Sequence, residues 1–287
     1  MSSVRTEVVM GTLVTIRVVR PGAEAAIERA FGWFYEIERT CTRFDPQSEL
    51  MRLSTSVGTP VPASAILFEA VRFALAIAEE SGGAFDPAVG HAMEQRGFDR
   101  EHRTGAVVRT AAGDGSWRDV ELDPERRTIT LRRPLLLDLG AVAKGLAVDT
   151  AARELRPSTD FAIDAGGDLY LGGCNPQGSP WSVGIRHPRR DGALIDSLRV
   201  SNQAVCTSGD YERPGHILDP ANRQPASAVA SATVVAPSAM LADALATAAF
   251  VLGPSEGIAL LHRMGVEGLI VKPDLERVET GGLRHAA

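Results

Sequence analysis

Residues 135–149, LLLDLGAVAKGLAVD, place an acidic residue, several small residues and one lysine at the end of an apolar run. The pattern predicts a short buried strand over residues 135–139 and a helix that begins near Ala141. Glycines on either side would leave the backbone around Lys144 accessible, and a helix N-terminus attracts negative charge. A lysine one turn inside that helix could meet a phosphate as a point charge. A tight strand–helix corner with a solvated lysine accounts for the same residues, because glycine-rich corners are common.

A second candidate site lies in residues 238–253, SAMLADALATAAFVLG. Asp243 and Thr247 are four positions apart, so on a helix they lie on one face. A carboxylate and a hydroxyl at that spacing offer two hard oxygen ligands, which suit Mg²⁺ and Mn²⁺. The alternative is an alanine-rich packing helix whose aspartate is favoured by the helix dipole.

A histidine is the third candidate. His216 opens the run HILDP, residues 216–220, and follows Ser208-Gly209 in a region rich in turn-forming residues. Loops carry a large share of catalytic residues, and an imidazole can accept a proton from a hydroxyl nucleophile. His216 is therefore a candidate general base, although a lone histidine is more often structural.

Two glycine-rich segments complete the set of candidates. GGAFDPAVG, residues 82–90, presents Phe85 and Asp86 after two glycines, and IDAGGDLYLGG, residues 163–173, brings Asp168 after a Gly-Gly turn. Turn formation explains both patterns equally well, and Phe85 could belong to the core.

The elements that position these residues alternate irregularly between helix and strand. Periodicity predicts a strand around Val14–Val18, helices over residues 23–41 and 64–82, and a hairpin over 118–132. Further strands are predicted at residues 161–164, 181–186, 197–201, 230–235 and 266–271, with helices that begin after Ser238 and Ser255 and end near residues 252 and 265. Because strands come in runs without βα alternation, the fold class is α+β with mainly antiparallel sheets.

No linker or repeat divides the chain, so a single domain is predicted over residues 1–287, with an ordered core of about residues 5–275. The first few residues and the tail from Arg277 on bury little and are expected to be disordered.

The composition excludes several kinds of partner. The chain has 287 residues, 44% hydrophobic, and a formal net charge of -6, which argues against nucleic-acid binding. Three cysteines far apart argue against a disulfide framework or a zinc site and favour a cytoplasmic location. We expect no signal peptide, and no stretch long and apolar enough to form a membrane segment.

Together these segments resemble the ApbE family, the magnesium-dependent FAD:protein FMN transferases. Eight short motifs occur in the order typical of that family, between about residue 8 and residue 253, and their joint occurrence is hard to obtain by chance. The motifs are Met10-Gly11-Thr12, TRFDPQSELMRLS (42–54), AFDP (84–87), Asp-x-Gly-x-x-x-Lys-Gly (138–145), Gly-Gly-Asp (166–168), Thr-Ser-Gly-x-Tyr (207–211), His-x-x-Asp-Pro (216–220) and Ala-Asp-Ala-x-x-Thr (242–247).

The resemblance implies an ApbE-like domain and a reaction. FMN would pass from the substrate FAD to a Thr or Ser hydroxyl of an acceptor protein, as a phosphoester, with release of AMP. It implies that Mg²⁺ is held by Asp243, Thr247 and the backbone carbonyl of Ala141, and that His216 removes the hydroxyl proton with assistance from Lys144. The residues implied to contact FAD are Met10, Phe44, Ala84, Phe85, Asp86, Asp138, Lys144, and Ile217 or Leu218.

One residue departs from the usual family pattern, because Phe44 stands where a Tyr or Trp is frequent; stacking persists there while a polar donor is lost. Many relatives are anchored lipoproteins outside the cytoplasmic membrane, whereas this sequence predicts an acceptor that is reachable in the cytoplasm. The alternatives are an FAD pyrophosphatase, which would keep the same residues, and a non-catalytic flavin-binding or flavin-delivery module, which would need no base. A conventional FAD oxidoreductase fits poorly, since no GxGxxG follows the first strand.

Overall fold

An eight-stranded antiparallel sheet forms the centre of the molecule. The computed structural model describes residues 2–102, 104–211 and 215–286. The strands are β1 Ser3–Val9, β2 Thr12–Val18, β3 Val61–Pro62, β4 Val120–Asp123, β5 Thr128–Leu131, β6 Phe161–Ala165, β7 Asp168–Gly172, β8 Trp181–Arg186, β9 Leu194–Val200, β10 Gln203–Gly209, β11 Leu218–Asp219, β12 Gln224–Pro225, β13 Ser231–Ala236, β14 Glu267–Val271 and β15 Arg277–Glu279. The main sheet has the order β1-β2-β6-β7-β10-β13-β14-β15, and the smaller sheets are β3-β5-β4, β8-β9 and β11-β12.

Six α-helices are described, and they carry most of the core against one face of the main sheet. They are α1 Glu24–Cys41, α2 Glu49–Ser54, α3 Ala65–Glu80, α4 Gly90–Gln95, α5 Gly140–Leu155 and α6 Ala239–Arg263. Apolar residues recur every three or four positions along α1, which puts Ile27, Phe31 and Phe34 on its buried face. The opposite face of the sheet is covered in part by β8 and β9, which enclose a second apolar cluster around Val183, Leu198 and Val205.

Two of the predicted helix starts, after Ser64 and after Ser238, are confirmed by their caps. Ser64 Oγ accepts a hydrogen bond from Leu67 N at 3.2 Å, and Ser238 Oγ accepts one from Leu241 N at 3.3 Å. Each cap satisfies a backbone N–H that has no partner inside its helix. The mixed helix and antiparallel-sheet fold class is confirmed as well.

Residues 135–139 do not form the predicted strand. They are buried and extended, but their backbone bonds go to isolated partners, from Gly90 N to Leu136 O at 3.1 Å and from Asp138 N to Pro87 O at 2.7 Å. A strand needs a ladder, and no neighbouring strand is available at this place among the described residues.

The predicted disorder at the two ends is also corrected. Ser3–Val9 pairs with β2 along its whole length, and Arg277–Glu279 pairs with residues 269–271 of β14. Both segments form backbone hydrogen bonds at the edges of the main sheet, and their composition alone does not predict this pairing.

The last two predicted helices are joined into one helix, α6, which has a kink at Gly253. Gly253 adopts φ 82° and is followed by Pro254, a combination that interrupts the helical backbone. By length and composition α6 could cross a membrane, which corrects the expectation that no stretch is long and apolar enough. However, 61% of its most apolar 18-residue stretch is buried inside the molecule. Buried core helices of globular proteins have the same length and composition.

Candidate active site

A cavity of about 540 Å³ opens at one end of the main sheet. The β1–β2 turn, the β6–β7 turn and the end of β10 meet there with the first turns of α5 and α6. Every site residue predicted from the sequence lines this cavity, so the fold brings all of them together: Met10, Phe44, Ala84, Phe85, Asp86, Asp138, Ala141, Lys144, His216, Ile217, Leu218, Asp243 and Thr247.

The lining falls into two parts, which we name by the elements that hold them. The core wall comes from α5, α6, β7 and β10, and its residues are Ala141, Lys144, Asp168, Ser208, Asp243 and Thr247. The loop wall comes from the segments between elements, and its residues are Arg43, Phe44, Ala84, Phe85, Asp86, Asp138 and His216.

An ion pair dominates the core wall. The ammonium of Lys144 contacts the carboxylate of Asp168, whose side chain is 3% exposed. Burial by itself lowers the pKa of Lys144, but the carboxylates of Asp168 and Asp243 outweigh that effect and raise it. Lys144 therefore stays charged at any physiological pH, held in place at the cavity surface.

Hard oxygen atoms lie beside this pair. Asp243 is 7% exposed, and Thr247, one turn later on α6, shares a hydrogen bond of 3.2 Å between its Oγ1 and Ser208 Oγ. Ala141 lines the cavity from the first turn of α5. A buried carboxylate and two hydroxyls on one cavity surface form a donor set that fits Mg²⁺ or Mn²⁺, which keep their remaining positions for water or phosphate oxygens.

An arginine organises the loop wall. Arg43 is 6% exposed; its Nε donates to Asp138 Oδ2 at 2.7 Å, and its Nη2 donates to Phe98 O at 2.6 Å. The guanidinium carbon lies 4.2 Å from the centroid of the Phe44 ring, a cation–π contact. One side chain thus fixes both Phe44 and Asp138, two residues predicted to contact FAD.

Asp138 is held in its charged form. Burial alone would raise the pKa of Asp138, but Arg43 and a hydrogen bond of 2.8 Å from Gly140 N outweigh burial and lower it. The charge of His216 acts on Asp138 in the same direction, which places the two groups within electrostatic reach of one another.

The remaining predicted contacts lie where tight turns expose the backbone. Asp86 accepts hydrogen bonds from Ala88 N at 2.8 Å and Trp117 N at 3.2 Å, and burial raises the pKa of Asp86 against these bonds. Met10 adopts φ 54° at the β1–β2 turn, and its N donates to Glu38 Oε1 at 2.9 Å. Asp86 therefore braces its own loop and ties it to the segment at Trp117, and it also lines the cavity.

The segment after His216 joins the cavity to the core. Ile217 belongs to the main core, and its carbonyl accepts a hydrogen bond from Ala226 N at 3.0 Å. Leu218 packs instead with Ala92 and Met93 of α4. Both side chains are nearly buried and both line the cavity.

Comparison with known proteins assigns the family. A profile of the ApbE family matches residues 10–270. This chain belongs to the ApbE family.

Two FAD:protein FMN transferases align over nearly the whole chain. The FAD:protein FMN transferase of Treponema pallidum is 36% identical over 310 residues, which covers 94% of this chain and 84% of the relative. The FAD:protein FMN transferase of Vibrio cholerae is 30% identical over 291 residues, covering 92% and 86%.

Solved structures agree with the ApbE assignment. The ApbE protein of Thermotoga maritima superposes with a TM-score of 0.88 at 28% identity, covering 98% of this chain and 97% of the other. The flavin transferase ApbE of Vibrio cholerae gives a TM-score of 0.84 at 27% identity, with 98% and 96% covered.

Three residues of this ApbE-type cavity received no role from the sequence. The sequence assigns no role to Asp168 of the Gly-Gly-Asp motif, to Ser208 in its turn-rich region, or to Arg43 beside Phe44. The motif around Asp168 was a usable signal, since a buried lysine needs an acidic partner. No local signal marks Arg43, because its partner Asp138 lies 95 residues away in sequence.

Proposed function

We propose that this protein transfers FMN from FAD to a Thr or Ser hydroxyl of an acceptor protein and releases AMP, in a reaction that depends on Mg²⁺ or Mn²⁺. The observation that carries the proposal is that a histidine, a lysine and a hard-oxygen donor set line the same cavity. Relatives that align over more than nine-tenths of the chain and bear the name FAD:protein FMN transferase support it.

The reaction is a displacement at phosphorus. The acceptor oxygen forms a bond to the phosphorus of the FMN half, the bond from that phosphorus to the bridging oxygen breaks, and the electron pair leaves with AMP. Catalysis of such a step rests on positioning and on compensation of phosphoryl charge. The core wall holds Lys144 and the proposed cation ligands on one surface, and the two phosphates of FAD would lie against it.

A divalent cation held by Asp243, Thr247 and the carbonyl of Ala141 would supply charge compensation to the phosphoryl oxygens. Lys144, which burial and Asp168 keep in one place, binds a phosphate oxygen from the same wall. Because its pKa is raised, Lys144 serves as a fixed positive charge and not as a proton donor.

His216 accepts the proton of the acceptor hydroxyl as the new bond forms. The charged Asp138 lies within electrostatic reach and stabilises the imidazolium that results. On the same wall, the Phe44 ring offers a stacking surface for a flat ring of FAD. The guanidinium of Arg43 contacts the Phe44 ring and holds it in position.

The test incubates the purified protein with FAD and Mg²⁺, with and without an acceptor domain that carries a flavinylation-type Thr or Ser. Flavin fluorescence of the acceptor in a denaturing gel and released AMP are measured together, beside Asp243→Ala and the nearly isosteric Asp243→Asn. We expect covalent label and AMP in equal amounts, and neither product from the two variants.

Other outcomes would replace the proposal. AMP without label, with several acceptors tried, would identify an FAD pyrophosphatase. Tight FAD binding without either product would identify a binding or delivery module. The cytoplasmic location stays a prediction; free Cys41, Cys174 and Cys206 are compatible with it, and fractionation of cells would test it.

A further inference from the structure

Helices α5 and α6 are joined at one place by a buried carboxylate that the reaction does not use. Asp149 on α5 accepts hydrogen bonds from the first two backbone N–H groups of α6: Oδ1 from Ala239 N at 2.7 Å and Oδ2 from Met240 N at 3.0 Å. The first N–H groups of a helix have no partner within the helix, so these two bonds tie the start of α6 to α5.

We call this contact between α5 and α6 the joint. At Gly145, one turn before Asp149 on α5, the two helices also approach too closely for a side chain. A Cβ on Gly145 would lie 2.5 Å from Met240 Cα and 2.6 Å from Met240 N, both backbone atoms that cannot move aside alone. The two helices therefore touch backbone to backbone at Gly145 and are bonded at Asp149.

Both halves of the proposed cation site are one helical turn from this joint. Ala141 lies four residues before Gly145 on α5, and Asp243 lies four residues after Ala239 on α6. Since the ligands are on two different helices, the spacing between them follows the spacing of the helices, and the joint is the nearest contact that sets it.

Asp149 does more than cap α6. Ser238, the N-cap residue of α6, accepts a hydrogen bond from Leu241 N, whereas Asp149 accepts from Ala239 N and Met240 N and belongs to another helix, so its bonds also join α5 to α6. Burial raises the pKa of Asp149 from its ordinary 3.8 to about 6, against the two backbone hydrogen bonds. The folded protein thus holds the proton more tightly than the unfolded chain, so the stability from this group is greatest at acidic pH and is lost as pH rises through about 6. At neutral pH the Asp149 side chain is ionised, although its burial disfavours the charged form.

We propose that Asp149 is a positioning residue that sets the distance between the Ala141 carbonyl on α5 and the side chains of Asp243 and Thr247 on α6, and thereby sets the affinity for the divalent cation. The inference rests on the proposed function, specifically on a cation at Asp243 and Thr247. Asn at position 149 could accept only one of the two N–H groups through its carbonyl oxygen, which loosens the joint.

The test is Mn²⁺ binding without FAD, followed by the EPR signal of free Mn²⁺, together with the melting temperature of each variant. Asp149→Asn is compared with Ser238→Ala, which removes a cap from the same end of α6 without touching α5. We expect Asp149→Asn to raise the Mn²⁺ dissociation constant about 10-fold, the size typical of groups that orient metal ligands. Ser238→Ala should lower the melting temperature and change that constant less than about 2-fold.

A second variant tests the joint from its other side. Gly145→Ala leaves Asp149 in place and forces the backbones apart, so it should also raise the Mn²⁺ dissociation constant about 10-fold or more. It decides the question if Asp149→Asn does not fold. Binding equal to that of the wild type in whichever of the two variants folds would overturn the inference, as would an equal loss in Ser238→Ala.

Asp243→Ala separates this inference from the proposed function. If the wild type binds Mn²⁺ and Asp243→Ala does not, the cation site stands and the result for Asp149 is decisive on its own. If Asp243→Ala binds Mn²⁺ as the wild type does, the cation site of the proposed function is wrong, and the role of Asp149 falls with it.

Discussion

The two walls of the cavity are built in different ways. Side chains of the core wall project from helices and sheet strands whose other faces lie in the main core, and they form an ion pair and a cluster of oxygen atoms. Those of the loop wall project from turns and irregular segments, and they present aromatic and backbone surfaces tied by Arg43.

The proposed function accounts for this difference. Charges that act on a phosphoryl group need fixed positions, which regular elements provide better than loops. Recognition of a flavin or adenine ring and access for a protein acceptor tolerate adjustment, and loops offer it. The proposed base, His216, lies on the loop wall, where an acceptor hydroxyl would approach.

The largest effect is expected for His216→Ala. Loss of a positioned base should lower the rate of FMN transfer by about 10²–10⁴-fold, while the FAD dissociation constant changes less than about 3-fold. Single-turnover transfer and equilibrium FAD binding measure the two quantities, with His216→Gln as the control for side-chain volume. A variant that binds FAD poorly and transfers at the normal rate would assign His216 to recognition.

The next largest effect concerns the ion pair of the core wall. Lys144→Met should slow transfer about 10²-fold and reduce stability by about 3–5 kcal/mol, because Asp168 is left buried without a cation. The double variant Lys144→Met, Asp168→Asn should regain most of the stability and none of the activity.

Denaturant unfolding and transfer kinetics on the single and double variants separate these roles. Transfer at the normal rate in the double variant would show that the pair is structural, and the core wall would then contribute only metal ligands.

The smallest effect is expected for Arg43→Ala. Phe44 and Asp138 would lose their common partner, so the FAD dissociation constant should rise about 10-fold with the rate at saturating FAD nearly unchanged. Arg43→Lys keeps the charge but loses the planar guanidinium, so its FAD dissociation constant should lie between those of the wild type and Arg43→Ala. A fall in the saturated rate without weaker binding would contradict the division of roles between the walls.

Much of the fold was predictable because its signals are local. The apolar spacing of α1 and the serine caps of α3 and α6 depend on residues a few positions apart. Residues 135–139 are as apolar as a buried strand, but in the described part of the chain they lack a neighbouring strand to pair with. Arg277–Glu279 does pair with a strand, although three residues are too few to show an alternating pattern. Strand pairing depends on two segments, whereas a sequence pattern describes only one of them.

The sequence by itself determined the long helices, several of the strands, and the motifs and their order, because periodicity, caps and turn residues act over a few positions. It also supplied the candidate catalytic, FAD-binding and metal-binding residues, all of which line one cavity. Tertiary structure alone decided the contacts of Arg43 with Asp138, Lys144 with Asp168, Thr247 with Ser208, and Asp149 with the start of α6. These groups are far apart in the chain and meet only after the sheet and its helices have packed, so no local pattern can encode their distances.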